Sequence, residues 1–283
     1  MLTRSTTQRL FLLRPDDETN NNYVYCLAEA AQRYQIEVIL TQVMSNHHHP
    51  VFYDPHGKVN EFIEHFHKML AKCQNVLRGR WENLWSSEPP CLVELVDRAA
   101  VIDKLVYVAT NPVKDGLVEK VHHWPGVDAW RALRKDEPLR AKRPRYFFSK
   151  DGVMPAEVEL RLVVPSVLGD RDELVREVSQ RIASVEEELA QQRLETGRRV
   201  VGRRHILRQS PRDSPTSERQ HRGLRPRVAT RSKWNRIAAL QRNKEFEIAY
   251  REARAAWLSG LPAKFPPGTY WLRRFANVPI ATT

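Results

Sequence analysis

Val38-Ile-Leu-Thr-Gln-Val43, followed closely by Asn46-His47-His48-His49-Pro50-Val51-Phe52-Tyr53, is the stretch on which the fold turns. The first run is apolar and β-branched, the signature of a strand, and the histidines lead into a second strand that returns beside it. Side chains of a strand alternate between faces, so His47 and His49 share one face while His48 points to the other, toward a helix layer. Two imidazoles held rigidly two residues apart form a cradle for a divalent metal. Tyr107-x-x-x-Asn111 answers them further along the chain. Residues four apart on a helix lie on one face, which places a phenol beside an amide. The amide oxygen can complete a metal shell, and the phenol can attack a phosphate held there. Asn111 precedes Pro112, which disfavours the α region for the residue before it, so Asn111 is expected in a fraying last turn.

Working outward, Thr6 to Arg14 reads as a first strand. Thr19 is placed to cap a helix running to Tyr34, with Tyr23, Leu27, Ala30 and Ala31 at helical spacing. Gln35 to Val43 and the histidine strand, ending at Asp54, form the next pair. Asn60 to Leu77 is a second helix with the stripe Phe62, Phe66, Met69, Leu70, Cys73 and Leu77. Cys91 to Val96 is a short strand, and Asp97 caps a third helix, from Ala99 to about Thr110, that carries Tyr107. The order βαββαβ predicts an α+β protein with a ferredoxin-like sheet, helices on one face, and an added helix delivering Tyr107 across the open face.

After Trp130 the character changes. Arg131 to Arg145 is basic and proline-interrupted, as in a linker. Glu157 to Val164 alternates as a strand. Asp170 to Glu195 is a charged helix with the stripe Leu174, Val178, Ile182, Val185 and Leu189. From Arg198 to Lys244 the only acids are Asp213 and Glu218, and the tract is expected to be extended and disordered without a partner. A last helix spans Lys233 to about Ser259. The expected organisation is residues 1–130, then 131–196 as linker, strand and charged helix, then 197–283 as a basic, partly disordered C-terminal region of mostly helical character.

The chain has 283 residues, 46 Lys and Arg against 34 Asp and Glu, and a formal net charge of +12. That balance favours a polyanionic partner. Cys26, Cys73 and Cys91 are odd in number and lack CxxC spacing, so they read as reduced thiols. No apolar run approaches the roughly eighteen residues of a membrane span, and Met1-Leu-Thr-Arg-Ser-Thr-Thr-Gln8 has no signal-peptide core behind its charge. A cytoplasmic protein without a membrane partner is expected, as monomer or homodimer.

The triplet His47-His48-His49, the Tyr107–Asn111 pair and the run Tyr107-Val-Ala-Thr-Asn-Pro-Val-Lys-Asp-Gly-Leu-Val118 resemble those of the REP-associated tyrosine transposases, single-tyrosine HUH transposases of bacterial insertion sequences. Trp81-Glu-Asn-Leu-Trp85 and His123-Trp-Pro-Gly126 extend the resemblance over residues 1–130. The family's middle triplet residue is hydrophobic, where this chain has His48, and Pro50 is unusual in a central strand. The resemblance implies an HUH domain in which His47, His49 and Asn111 hold Mg2+ or Mn2+. It implies Tyr107 as the nucleophile that cuts and rejoins single-stranded or hairpin DNA, in DNA transposition, through a 5′-phosphotyrosine. Arg4 and Arg9, with Arg198, Arg199, Arg203 and Arg204 of the basic region, are the residues expected to grip DNA.

His65 and His67 point in different directions on a helix and read as surface or cap residues, and His122 and His123 as braces near the catalytic helix. Trp81, Trp85, Trp124 and Trp130 suit either base stacking or packing. Two other functions compete: a domesticated or inactive DNA-binding regulator, which His48 and Pro50 suggest, and an RNA-binding ferredoxin-like module.

Overall fold

The computed structural model describes residues 1–149, 151–217 and 226–281. In chain order the elements are β1 (Leu2–Ser5), α1 (Asp17–Tyr34), β2 (Glu37–Met44), β3 (His47–Tyr53), α2 (Val59–Leu77), β4 (Cys91–Leu92), β5 (Glu94–Leu95) and α3 (Arg98–Lys114). There follow α4 (Ala129–Lys135), β6 (Leu139–Lys142), β7 (Glu157–Leu160), α5 (Arg171–Thr196), α6 (Arg203–Arg208), β8 (Val228–Ala229), α7 (Lys233–Leu258) and α8 (Trp271–Phe275). The protein is therefore mixed α+β. Among the described residues no helix is long and apolar enough to cross a membrane. The chain divides into two compact units, Met1–Val93 with Val101–Arg227, and Glu94–Ala100 with Val228–Thr283.

The first unit is built on an antiparallel sheet of order β2-β3-β1-β4. Its helices α1 and α2 pack on each other and cover one face, where Tyr23 of α1 and Phe66 of α2 both meet the His48 ring. The edge strand β2 is shielded on its outer side. Val163 N–H donates to Val38 O at 2.8 Å, and the Trp124 indole N–H donates to Val43 O at 3.0 Å. Gly126 is required for the second contact, because a Cβ there would stand 2.2 Å from the Trp124 indole nitrogen. Pro50 is tolerated in an internal strand because β1 pairs with β3 only at His47 and His48, so no β1 ladder bond is lost at residue 50.

Several expectations are corrected. The first strand is Leu2–Ser5, not Thr6–Arg14; consecutive Leu12 and Leu13 are both fully buried, which alternation in a half-buried strand forbids. That segment instead loops back, with Thr6 N–H donating to Asn46 O and Leu13 N–H to Ser45 O. Helix α1 is capped by Asp16, whose carboxylate accepts from Thr19 N–H at 2.9 Å. The expected linker 131–145 holds the end of α4 and strand β6, which pairs with β7. Its basic side chains hid a buried face made by Trp130, Ala132 and Leu133. Pro112 sits inside α3, which continues to Lys114, so Asn111 is in helix rather than in a frayed end. Asp115 N–H donates to Asn111 O and Leu117 N–H to Pro112 O, so the carbonyls around the proline remain satisfied.

The arginine tract is also more ordered than expected where it is described. Val201 and Gly202 N–H donate to Gly116 and Leu117 carbonyls, and Ile206 of α6 packs into a buried cluster with Met44, Val113, Val118 and Trp124. Phe11 N–H donates to Asp213 O at 2.8 Å. Residues 218–225 of that tract lie outside the described residues. In the second unit β5 pairs in parallel with β8, Arg242 bonds Glu94, and Ala253, Phe265 and Val278 form a small core beside α7.

Candidate metal and tyrosine site

Strand β3 presents His47 and His49 on the face away from α1 and α2, with ring centres 4.8 Å apart. The Asn46 side-chain oxygen accepts from His47 Nδ1 at 2.7 Å, which fixes the proton on Nδ1 and leaves the Nε2 lone pair free. His49 Nδ1 lies 2.8 Å from Thr3 Oγ1, and its Nε2 is buried with no hydrogen-bond partner. Asn111 Oδ1 is likewise buried and unpartnered. Buried polar atoms left without partners are costly, typically about 1–3 kcal/mol each. Burial pushes the His47 pKa down to about 4, with Arg9 adding to the effect and the neighbouring Asn111 side chain opposing it, and pushes His49 well below the usual range. Both imidazoles are thereby held in the neutral form that ligates metals. Among the described residues no group of three or more His, Cys, Asp or Glu is arranged for a metal; the set described here is two imidazoles and an amide.

Helix α3 supplies Tyr107, whose ring meets His49 edge to face at 5.6 Å between centres. Burial and the charge of Asp115 raise the Tyr107 pKa, while the adjacent Asn111 side chain lowers it. Lys104 and Lys114 stand over the same ring at 5.4 and 5.6 Å. Residues 104, 107, 111 and 114 follow the three-and-four spacing of one helix face. The two lysines were missed in the sequence, although that spacing was available to find them. Their positive charge lies beside the Tyr107 phenol.

The other face of β3 is occupied differently. Arg4, opposite His48 in the ladder, donates from Nη1 to His67 Nδ1 at 2.8 Å. Burial drives the pKa values of His67 and His48 far down, so both are neutral. His67 must then carry its proton on Nε2 and donate to His48 Nε2 at 3.0 Å. His48 donates from Nδ1 to the Tyr23 hydroxyl at 3.1 Å, and Tyr23 donates to Thr41 Oγ1 at 2.6 Å. Trp85 stacks on His48 and donates its indole N–H to the His67 carbonyl at 3.0 Å. His67 is thus a core residue, which corrects its reading as a surface side chain, whereas His65 is partly exposed and bonds Glu29 at 2.6 Å. Both nitrogens of the His48 ring are satisfied.

The expected DNA-gripping residues are scattered. Arg4 is engaged by His67 and by the Trp85 ring at 5.2 Å, on the helix-covered side. Arg9 lies close enough to His47 to depress its pKa and donates to Ser217 O at 2.7 Å. Gln8 and Arg9 both adopt left-handed backbone, with φ of 50° and 57°, a conformation that L residues avoid outside functional or tightly constrained segments. Arg198, Arg199, Arg203 and Arg204 are all exposed. Trp85, Trp124 and Trp130 are packed inside, whereas Trp81 is 89% exposed. Compared with protein-family models, curated proteins and solved structures, the chain matches none.

Proposed function

We propose that this protein cleaves and rejoins single-stranded DNA through a covalent bond to Tyr107, as a transposase of the single-tyrosine HUH type. The observation that carries the reading is the convergence of His47 and His49 from β3 with Tyr107 and Asn111 from α3, leaving His49 Nε2 and Asn111 Oδ1 without partners. The strand order β2-β3-β1-β4, with α1 and α2 on one face, suits a ferredoxin-like HUH sheet and leaves the other face for the helix that carries the nucleophile.

His47 Nε2, His49 Nε2 and Asn111 Oδ1 would hold a Mg2+ or Mn2+ ion, a donor set of nitrogen and oxygen with positions left for water and phosphate. When bound, such an ion supplies Lewis-acid polarisation of a non-bridging phosphate oxygen. Thr3 then accepts from His49 Nδ1 and Asn46 from His47 Nδ1, which orients both rings. Lys104 and Lys114 hold the phosphate and offset the raised pKa of Tyr107 as its proton leaves to solvent. The Tyr107 oxygen bonds to phosphorus, the bond to the 3′-oxygen breaks, and that oxygen takes up a proton to leave as a 3′-hydroxyl. Attack by a 3′-hydroxyl on the phosphotyrosine reverses these bond changes, so joining needs no nucleotide triphosphate. Arg9 and the exposed arginines 198, 199, 203 and 204 are assigned the phosphate backbone, and Arg4 the support of β3.

His48 and Pro50, which suggested an inactive regulator, are both accommodated by hydrogen bonding and by the short β1 ladder, so neither argues for decay. The test is incubation with labelled single-stranded hairpin DNA, with Mn2+ or with EDTA. A metal-dependent protein–DNA adduct that maps to Tyr107 is expected. Hairpin binding with no adduct under any divalent metal would favour the regulator.

A further inference from the structure

A second concave site lies off the end of α2. Leu12, Leu77, Arg78, Arg80, Trp81 and Arg212 line a cavity of about 540 Å3. That volume falls within the usual range of small-ligand sites and far below what a duplex requires. Three arginines face one acid, Glu82. The Arg78 side chain is only 10% exposed, and its Nη2 is held by Asp16 at 2.7 Å and Thr19 at 2.6 Å. Its Nε, like the Nε of Arg80, is buried without a hydrogen-bond partner. Among the described residues neither Arg80 nor Arg212 forms an ion pair. Beside these unpaired donors stands Trp81, with its indole almost wholly in solvent.

An exposed indole beside the cavity offers a face on which a flat ring can stack, and buried guanidinium N–H groups without acceptors call for an anion. The ligand that meets both demands is planar, aromatic and carries a phosphate. We propose that this cavity binds one unpaired nucleotide, its base stacked on Trp81 and its phosphate held by Arg80 and Arg212, with Arg78, fixed by Asp16 and Thr19, as the buried floor. Leu12 belongs to the loop whose neighbouring residue Leu13 bonds Ser45 O, at the turn before His47. The same loop therefore walls the pocket and braces the candidate metal site, which suits a nucleotide within a single strand better than a free one. The pocket stands independently of whether Tyr107 cuts.

The test is fluorescence anisotropy with a 5′-labelled oligothymidylate and the full chain in EDTA, so that no cleavage intervenes. Trp81→Ala should weaken binding roughly tenfold, as loss of one stacked base does, while Trp81→Phe retains most of the affinity. Arg80→Ala and Arg212→Ala should each weaken it and reduce its salt dependence. Unlabelled oligothymidylate should compete far better than thymidine 5′-monophosphate, which should still compete better than inorganic phosphate. Equal competition by the monophosphate and the oligomer would assign the site to free nucleotides. Unchanged binding by Trp81→Ala, equal affinity for an abasic oligomer, or competition by inorganic phosphate or an acidic peptide as strong as by the oligomer would overturn the proposal. Because Trp81 is exposed, its substitution should leave the melting temperature unchanged, and because Tyr107 is untouched, adduct formation reports separately on the cutting site.

Discussion

The imidazole of His49 and the phenol of Tyr107 meet edge to face, 5.6 Å between ring centres, though one belongs to β3 and the other to α3. The contact ties a candidate ligand to a candidate nucleophile on the open face of the sheet. It does not depend on the phenolic oxygen. Tyr107→Phe should therefore keep the fold within about 1 kcal/mol, since the ring stays packed and only the hydroxyl, with its Asn111 interaction, is lost. It should abolish the covalent adduct and leave hairpin binding intact. Peptide mapping that found the DNA on Tyr53 instead would refute the assignment.

Substitutions along the triplet should separate by face. His47→Ala and His49→Ala should each weaken Mn2+ binding by tenfold or more and eliminate cleavage. His48→Val should leave Mn2+ affinity unchanged but lower stability by about 1–3 kcal/mol, because the His67 Nε2–H loses its acceptor inside the core. Calorimetry for the metal and urea melts for stability read the two effects separately. A His48 variant that lost metal binding while the His47 variant kept it would mean that the register of β3 against β1 is wrong.

Stability should fall as the solution is acidified below about pH 6.5. His47, His48, His49 and His67 all have folded pKa values depressed by burial, so the unfolded chain binds more protons than the folded one in that range. Their contribution is complete above the unfolded value of 6.5 and is lost progressively toward pH 4, the folded value for His47, by up to about 1.4 kcal/mol per pH unit for each histidine kept neutral. Asp16 and Glu29 also have lowered pKa values. For both, burial works against ionisation and is outweighed, at Asp16 by Arg78 and Thr19 and at Glu29 by His65 and Arg33, so their contribution is lost as the pH falls through the ordinary carboxylate range, from about pH 5 downward. Melts between pH 7.5 and 5 isolate the histidines, and His48→Val should make the slope shallower. A flat profile over that range would count against buried neutral imidazoles.

Helix α6 should show two independent faces. Ile206 is buried with Met44, Val113, Val118 and Trp124, so Ile206→Ala should cost about 2–4 kcal/mol and leave the salt slope of DNA binding alone. Arg203→Ala with Arg204→Ala should do the reverse, leaving the melting temperature in place and reducing the slope of log K against log salt by about 0.7 for each phosphate no longer neutralised. If Ile206→Ala melts like the parent chain, the tract is a solvated tail rather than part of the core.

Much of the candidate site follows from local periodicity. Alternation on a strand puts His47 and His49 together and His48 apart, and four-residue spacing on a helix puts Tyr107 beside Asn111. These rules concern single elements and hold wherever the elements pack. They failed where an element's character depends on distant partners. The basic stretch 131–145 looked like a linker because its arginines and lysines outnumber its buried residues, yet Trp130 and Leu133 are enough to seat α4. His67, spaced like a surface residue, was drawn inside by Arg4, His48 and Trp85.

The sequence by itself determined which side chains share a face of β3 and of α3, the positive charge, and α1, β2, β3, α2 and α3 to within a few residues; the single strand expected at Cys91 to Val96 is instead β4, paired with β1, and β5, paired with β8. Only the tertiary structure decided that the Tyr107 face of α3 meets the histidine face of β3, that Arg4 supports the sheet, that Ile206 is core, and that Trp81 alone of the four candidate tryptophans is left uncovered beside three arginines. The reason is physical: the geometry of one element follows from its own backbone, whereas the meeting of two faces is chosen by burial and hydrogen-bond satisfaction summed over residues far apart in the chain.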